Sequence, residues 1–224
     1  MRNTIRGIVA VGGVVGIAGA ASAADLYSPP PPMVTPLYAQ ASAYDWSGFY
    51  AGVNGGWGWG STTASTGSAF NIPISGGILG AQAGYNFMLT NNIVAGIEGD
   101  ISWSGMKGTV TPGPTVTQNL GWLGTIRGRV GVAMNTVMPY ITAGFAAGSG
   151  TRTTNAGAGE SASATHTGYV LGAGVEWAFA QNWTAKLEYQ YVNLGARTYT
   201  FAGPPSPAVS MSNSIVRVGL NYKF

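Results

Sequence analysis

The chain has 224 residues, 36 of them glycine; 8% are charged, 46% hydrophobic and 11% aromatic. So few charges do not make an ordinary soluble surface, and so many aromatics do not make a disordered chain, so much of the surface faces something other than water. Two of the 10 basic residues, Arg2 and Arg6, fall in a segment read below as removed; the mature chain is then close to neutral, and the formal +3 gives no ground for nucleic-acid binding. The absence of cysteine excludes disulfides, thiolate nucleophiles and Cys-ligated metals.

Residues 1–23 have the parts of a cleavable signal peptide. Arg2 and Arg6 give a positive start, Gly7 to Gly19 is an apolar and glycine-rich run, and Ala21-Ser22-Ala23 precedes the expected cut. The run is too short for a membrane helix of ~20 residues. No other stretch offers such a helix, so an exported chain that enters a membrane must do so as a closed barrel. Residues 24–45 read as a periplasmic spacer. Pro29 to Pro32 oppose helix and sheet and favour an extended polyproline segment.

From residue 46 to residue 224 one pattern repeats eight times: apolar residues at every second position, with glycine or polar residues between. Phe49, Ala51, Val53, Trp57 and Trp59 form the first set. Leu79, Ala81, Ala83, Tyr85 and Phe87 form the second; Ile93, Ala95, Ile97, Ile101 and Trp103 the third; Trp122, Ile126, Val130 and Val132 the fourth. Ile141, Ala143, Phe145 and Ala147 form a weaker fifth, Tyr169 to Phe179 the sixth, and Trp183 to Tyr191 the seventh. The last is Val216, Val218, Leu220, Tyr222 and Phe224, an apolar face ending on a terminal aromatic, as expected of the strand that closes an outer-membrane barrel. A period of two is the strand period, and each segment reaches the ~9–11 residues that a tilted strand needs to cross a bilayer. The connections alternate. Ser61 to Ser75, Gly105 to Leu120, Ser149 to His166 and Leu194 to Met211 read as long loops, while Leu89 to Asn92, Asn135 to Met138 and Ala180 to Asn182 read as short turns. The fold expected is therefore all-β: an eight-stranded antiparallel up-and-down transmembrane β-barrel in the cell outer membrane, with both chain ends in the periplasm.

A soluble ligand carrier alternates too, with its apolar face inside. Here the strand charges sit on the face opposite the apolar one, that face is otherwise mostly Gly, Ser, Thr and Asn, and aromatics cluster at the strand ends as two girdles. The apolar face therefore points to lipid. Glu98, Asp100, Arg127, Arg129, Glu176, Lys186, Glu188 and Arg217 then point inward and balance, a salt-bridge network that fills a narrow lumen. Glu98 is expected opposite Arg127, and Glu176 opposite Lys186. The competing use of such a lining is an ion path.

No residue set carries chemistry. Glu98 and Asp100, two apart with arginines opposite, suit ion pairing rather than acid–base work. His166, the single histidine, reads as the end of a loop near Glu160, Ser161 and Ser163; serine and threonine are so common there that this proximity assigns no base. A lone histidine is also a potential haem ligand. Gly52 to Gly60 keeps the strand period, so its glycines line the barrel rather than a dinucleotide. No catalytic, cofactor-binding or metal residues are assigned and no cofactor is expected. Lys107, Arg152 and Arg197 read as a thinly basic outer rim that can meet lipopolysaccharide phosphates.

Asp45-Trp46-Ser47-Gly48-Phe49-Tyr50-Ala51-Gly52-Val53-Asn54-Gly55-Gly56-Trp57-Gly58 resembles the opening strand of the small outer-membrane β-barrel proteins of alphaproteobacteria. This opacity-like family includes the Brucella major surface antigens, related rhizobial proteins and the Bartonella haemin-binding proteins. Ala24-Asp25-Leu26, Gly99-Asp100-Ile101 and the ending Val216 to Phe224 are similar too. The resemblance implies an abundant non-enzymatic envelope protein that supports outer-membrane integrity and surface contact. Its implied partners are outer-membrane lipid, lipopolysaccharide, the barrel-assembly machinery and surface ligands. It carries over no catalytic residue; a small porin-like channel and a haemin-binding surface protein are the alternatives.

Overall fold

The computed structural model describes residues 44–64, 71–110, 115–155, 160–198 and 208–224. The signal peptide and Pro29 to Pro32 lie outside them. Eight strands follow in order: β1 (Gly48–Ala64), β2 (Asn71–Met88), β3 (Ile93–Val110), β4 (Val116–Val132), β5 (Val137–Thr154), β6 (Glu160–Ala180), β7 (Trp183–Thr198) and β8 (Ala208–Lys223). Each pairs antiparallel with the next, and β8 returns to β1, so the sheet is a closed barrel. Closure leaves no edge strand unpaired.

The apolar set of each segment faces outward. Phe49, Val53, Leu79, Ile97, Ile126, Phe145, Leu171, Leu187 and Val218 are all exposed on the outer wall, which in a membrane is the lipid face. The closing residues Val216, Val218, Leu220, Tyr222 and Phe224 stand there too. Tyr222 meets Trp183 and Phe224 edge-on at 5.2 Å each, and the Phe224 amide donates to Phe49 O at 3.0 Å. At this seam Gly56 faces the lumen opposite Arg217. An added Cβ would fall 2.2 Å from Val216 O and 2.7 Å from Arg217 Cα, so β1 approaches β8 this closely only with glycine there.

Two expectations need correction. The segments read as long loops are mostly strand: β1 runs on to Ala64, β2 begins at Asn71, β6 begins at Glu160 and β8 at Ala208. Lys107, Arg152 and Arg197 therefore stand on β3, β5 and β7 rather than in loops. These extensions were hidden because their polarity is reversed. On β8, Val209, Met211 and Ile215 are buried inside, while Ser210, Ser212 and Ser214 are turned the other way. On β2, Ile72, Ile74 and Ile78 are inside, with Asn71, Pro73 and Ser75 outside. On β4 the switch includes a register shift between Leu120 and Trp122, which leaves Trp122 outward and both Leu120 and Leu123 inward. Toward the long-loop rim, the wall thus approaches the polarity of a soluble barrel, with a mainly apolar interior that also buries Thr62, Gln118, His166 and Asn213, and a hydroxyl-rich exterior.

Candidate functional site

The lumen is filled in three layers. Nearest the short turns is an apolar layer of Trp46, Val94, Ala133, Met138 and Ala178, with Tyr44 packed against it. Trp46 lies just before β1, is 2% exposed, and donates its indole N–H to Asn135 O at 3.0 Å. Asn135 takes a left-handed φ of 59° in the β4–β5 turn, a conformation asparagine tolerates. Tyr44 meets Trp46 edge-on at 4.8 Å, and Lys223 Nζ lies 5.3 Å from the centre of the Tyr44 ring. Lys223 also bonds the Asp45 carbonyl and stands 3.6 Å from its carboxylate. The Ser47 hydroxyl and backbone N–H hold the Asp45 carboxyl below its ordinary pKa. Residues 44–46 thus strap the β4–β5 turn to the end of β8. Trp46→Phe, which removes the indole donor and part of a buried ring, is expected to cost more than the ~0.5–1.5 kcal/mol of one hydrogen bond, read from the urea midpoint of the refolded barrel.

Above this layer the eight inward charges meet. Glu98 accepts from Arg127, from Lys186 Nζ at 2.7 Å and from the Tyr50 hydroxyl at 2.7 Å; Arg129 and Arg217 stand 3.6 and 3.7 Å away. Asp100 accepts from Arg217 Nη1 and Arg127 Nη2, both at 3.0 Å, and from the Thr125 hydroxyl. Glu188 accepts from Arg127 Nη1 and the Tyr140 hydroxyl at 2.5 Å, and from Arg217 Nη2 at 3.2 Å. Glu176 accepts from Arg129, from the Thr184 hydroxyl at 2.5 Å and from Asn221 Nδ2 at 2.9 Å. The cluster is neutral and continuous, and every member is buried. Charges so far from water are tolerated because each is paired and hydrogen-bonded.

The register does set Glu98 opposite Arg127 and Glu176 opposite Lys186. Only the first pair bonds: Lys186 reaches across the lumen to Glu98, while Glu176 takes Arg129. In a barrel this narrow, a long side chain reaches another wall as readily as its neighbour strand. Nothing in the sequence beyond their inward parity marks Tyr50 and Tyr140. Their hydroxyls complete Glu98 and Glu188, and the Arg129 guanidinium lies 4.2 Å from the Tyr140 ring centre. Asn54, Gln82 and Asn221 add an amide chain from β1 through β2 to β8, with contacts of 3.1 and 2.5 Å.

The third layer is the apolar interior of the extended wall. Ile72, Ile74, Ile78, Met106, Leu120, Leu123, Ala146, Val170, Val192, Leu194, Met211 and Ile215 form one cluster drawn from seven strands. β1 contributes Gly58, where an added Cβ would fall 2.6 Å from Met106 Sδ. His166 belongs to β6 rather than to a loop. It is 0% exposed, with Nδ1 3.1 Å from Gly195 O, while Ser161 and Ser163 point the other way. Period two separates those serines from the imidazole, so no Ser–His arrangement forms there. The imidazole is buried on the inward side of β6 and is not presented on the outer face of the wall.

Residues 33–224 match the family model described as the outer membrane protein beta-barrel domain. The 31 kDa outer-membrane immunogenic protein of Brucella melitensis is 33% identical over 213 residues, covering 84% of this chain and 88% of the relative. The 25 kDa outer-membrane immunogenic protein of Brucella canis is 35% identical over 223 residues, 99% of this chain and 100% of the relative. The 22 kDa outer membrane protein of Rhizobium leguminosarum bv. viciae is 35% identical over 182 residues, 81% of this chain and 80% of the relative. The chain therefore belongs to the outer-membrane β-barrel domain family, and its site of action is the outer membrane.

Proposed function

We propose that the protein is a structural and surface protein of the outer membrane: a sealed barrel that supports envelope integrity and holds its loop rim outward for surface contact, with no enzymatic role. The observation that carries this is the filling of the lumen, a neutral ion-paired layer between two apolar ones. Hydrated ions do not cross close-packed apolar layers without displacing side chains. A surface role is supported by the relatives, which are named immunogenic outer-membrane proteins. In this account residues 1–23 direct export, residues 24–45 are the periplasmic spacer, and the closing strand guides assembly by the barrel machinery. Planar-bilayer recording of the refolded protein tests the sealed lumen. Silent membranes are expected, and reproducible unitary steps would overturn the proposal in favour of a small channel.

A further inference from the structure

The outer wall is uneven. Across β3 to β6 the register aligns Ile101, Gly124, Ala147 and Thr167 in one outward row. The row below, toward the short turns, is Gly99, Ile126, Phe145 and Tyr169, and the row above begins with Trp103 and Trp122. Small residues at Gly124 and Ala147 between bulky rows leave a groove of about 450 Å³ on the lipid-facing wall. Phe145, 80% exposed, and Ile126 form its lower lip, and the Trp122 ring reaches over Gly124. The groove lies beside the tryptophans of the long-loop girdle, at the depth of the outer leaflet. Its Thr167 end is not apolar. Arg197 on β7, exposed, donates from Nη2 to the Thr167 hydroxyl at 3.3 Å.

We propose that this groove is a binding site for lipopolysaccharide, which seats one acyl chain along Gly124 and Ala147 and sets a headgroup phosphate on Arg197. The chemistry at the two ends differs as that ligand requires. A trench lined by Ile101, Ile126, Phe145 and Ala147, with the Trp122 ring beside Gly124, suits a flexible hydrocarbon chain. A guanidinium at its end, with donors left over after Thr167, suits a phosphate, which it can hold through two parallel hydrogen bonds. On the outer wall Lys107 and Arg197 stand on separate strands, so the anion site is assigned to Arg197 alone, next to the groove, rather than to a diffuse basic rim. The site is independent of whether the lumen conducts, so a silent barrel that binds no lipopolysaccharide and a conducting barrel that binds it are distinguishable results.

Native mass spectrometry of the detergent-folded barrel with bisphosphorylated lipid A tests the site. One retained lipid A per barrel is expected, and Arg197→Gln and Gly124→Leu should each lower the retained fraction about tenfold, the loss of one charge-assisted contact or of the seat. Gly124→Leu introduces a side chain without backbone conflict, because an added Cβ there meets only ordinary contacts at 3.5 Å and beyond. Leu187→Ala, on the outer wall of β7 away from the groove, should leave retention unchanged, and heat-dependent gel mobility checks that each variant is folded. Equal retention by all three variants and wild type would overturn the proposal. So would equal retention of phosphatidylglycerol, which makes the groove a general lipid contact, or occupation of this wall by a second barrel that Gly124→Leu disperses.

Discussion

Glu98→Ala is expected to lower the unfolding free energy of the detergent-folded barrel by about 3–5 kcal/mol, the range for breaking a buried ion pair from one side. Urea titration followed by tryptophan fluorescence reads it. The size follows from position. Glu98 is the carboxylate that Arg127, Lys186 and Tyr50 address together, with Arg129 and Arg217 within 4 Å. Its removal leaves a net positive layer enclosed between two apolar ones, where neither water nor counter-ion reaches the excess charge. The companion variant Glu98→Gln/Lys186→Met keeps the layer neutral and close to its volume, and should recover most of the loss. If Glu98→Ala unfolds within about 0.5 kcal/mol of wild type, the layer is hydrated and not a seal.

The barrel was legible because lipid imposes one rule on all eight segments, apolar at every second position, and glycines facing inward do not blur it. The charge layer was legible for the same reason: Glu98, Arg127, Arg217 and their companions all fall on the inward parity, so strand alternation alone brings them together. Three features were not. The partner of a long side chain cannot be read from neighbouring strands, since Lys186 crosses to Glu98. Trp46 lies before the first strand, and no strand pattern reveals that its ring plugs the short-turn end of the lumen, fixed by a carbonyl of the β4–β5 turn. The strand extensions escape because Asn71, Pro73 and Ser75 on β2, and Ser210 beside Val209 and Met211 on β8, resemble a polar loop when apolar-outward is the rule sought. The signal is present in the parity: on β2 and β8 the alternation continues and only its polarity reverses where lipid gives way to water, while on β3, β4 and β7 a register shift interrupts it near the same level.

That reversal makes the upper apolar layer testable without electrical recording, because the chain has no cysteine of its own. Ser102 faces the lumen from β3, 1% exposed, between Asp100 and Met106, with its hydroxyl 3.4 Å from Asn54 Oδ1. Ser102→Cys in the folded barrel should react with a charged methanethiosulfonate far more slowly than Thr165→Cys, which stands outward on β6. Adding Leu120→Ala and Met211→Ala removes two side chains that are 0% exposed, and each truncation costs about 2–5 kcal/mol if the cavity does not collapse. In that background the Ser102→Cys thiol should label roughly tenfold faster or more, because the hole opens toward the loop rim and local opening becomes cheap. The urea midpoint, measured on the same samples, separates this from global unfolding, since a barrel still far from its transition labels through the opened layer. Equal labelling of Ser102→Cys and Thr165→Cys in the intact background would mean that reagent already enters from the rim, and the upper layer would then be packing that stabilises the wall without closing the lumen.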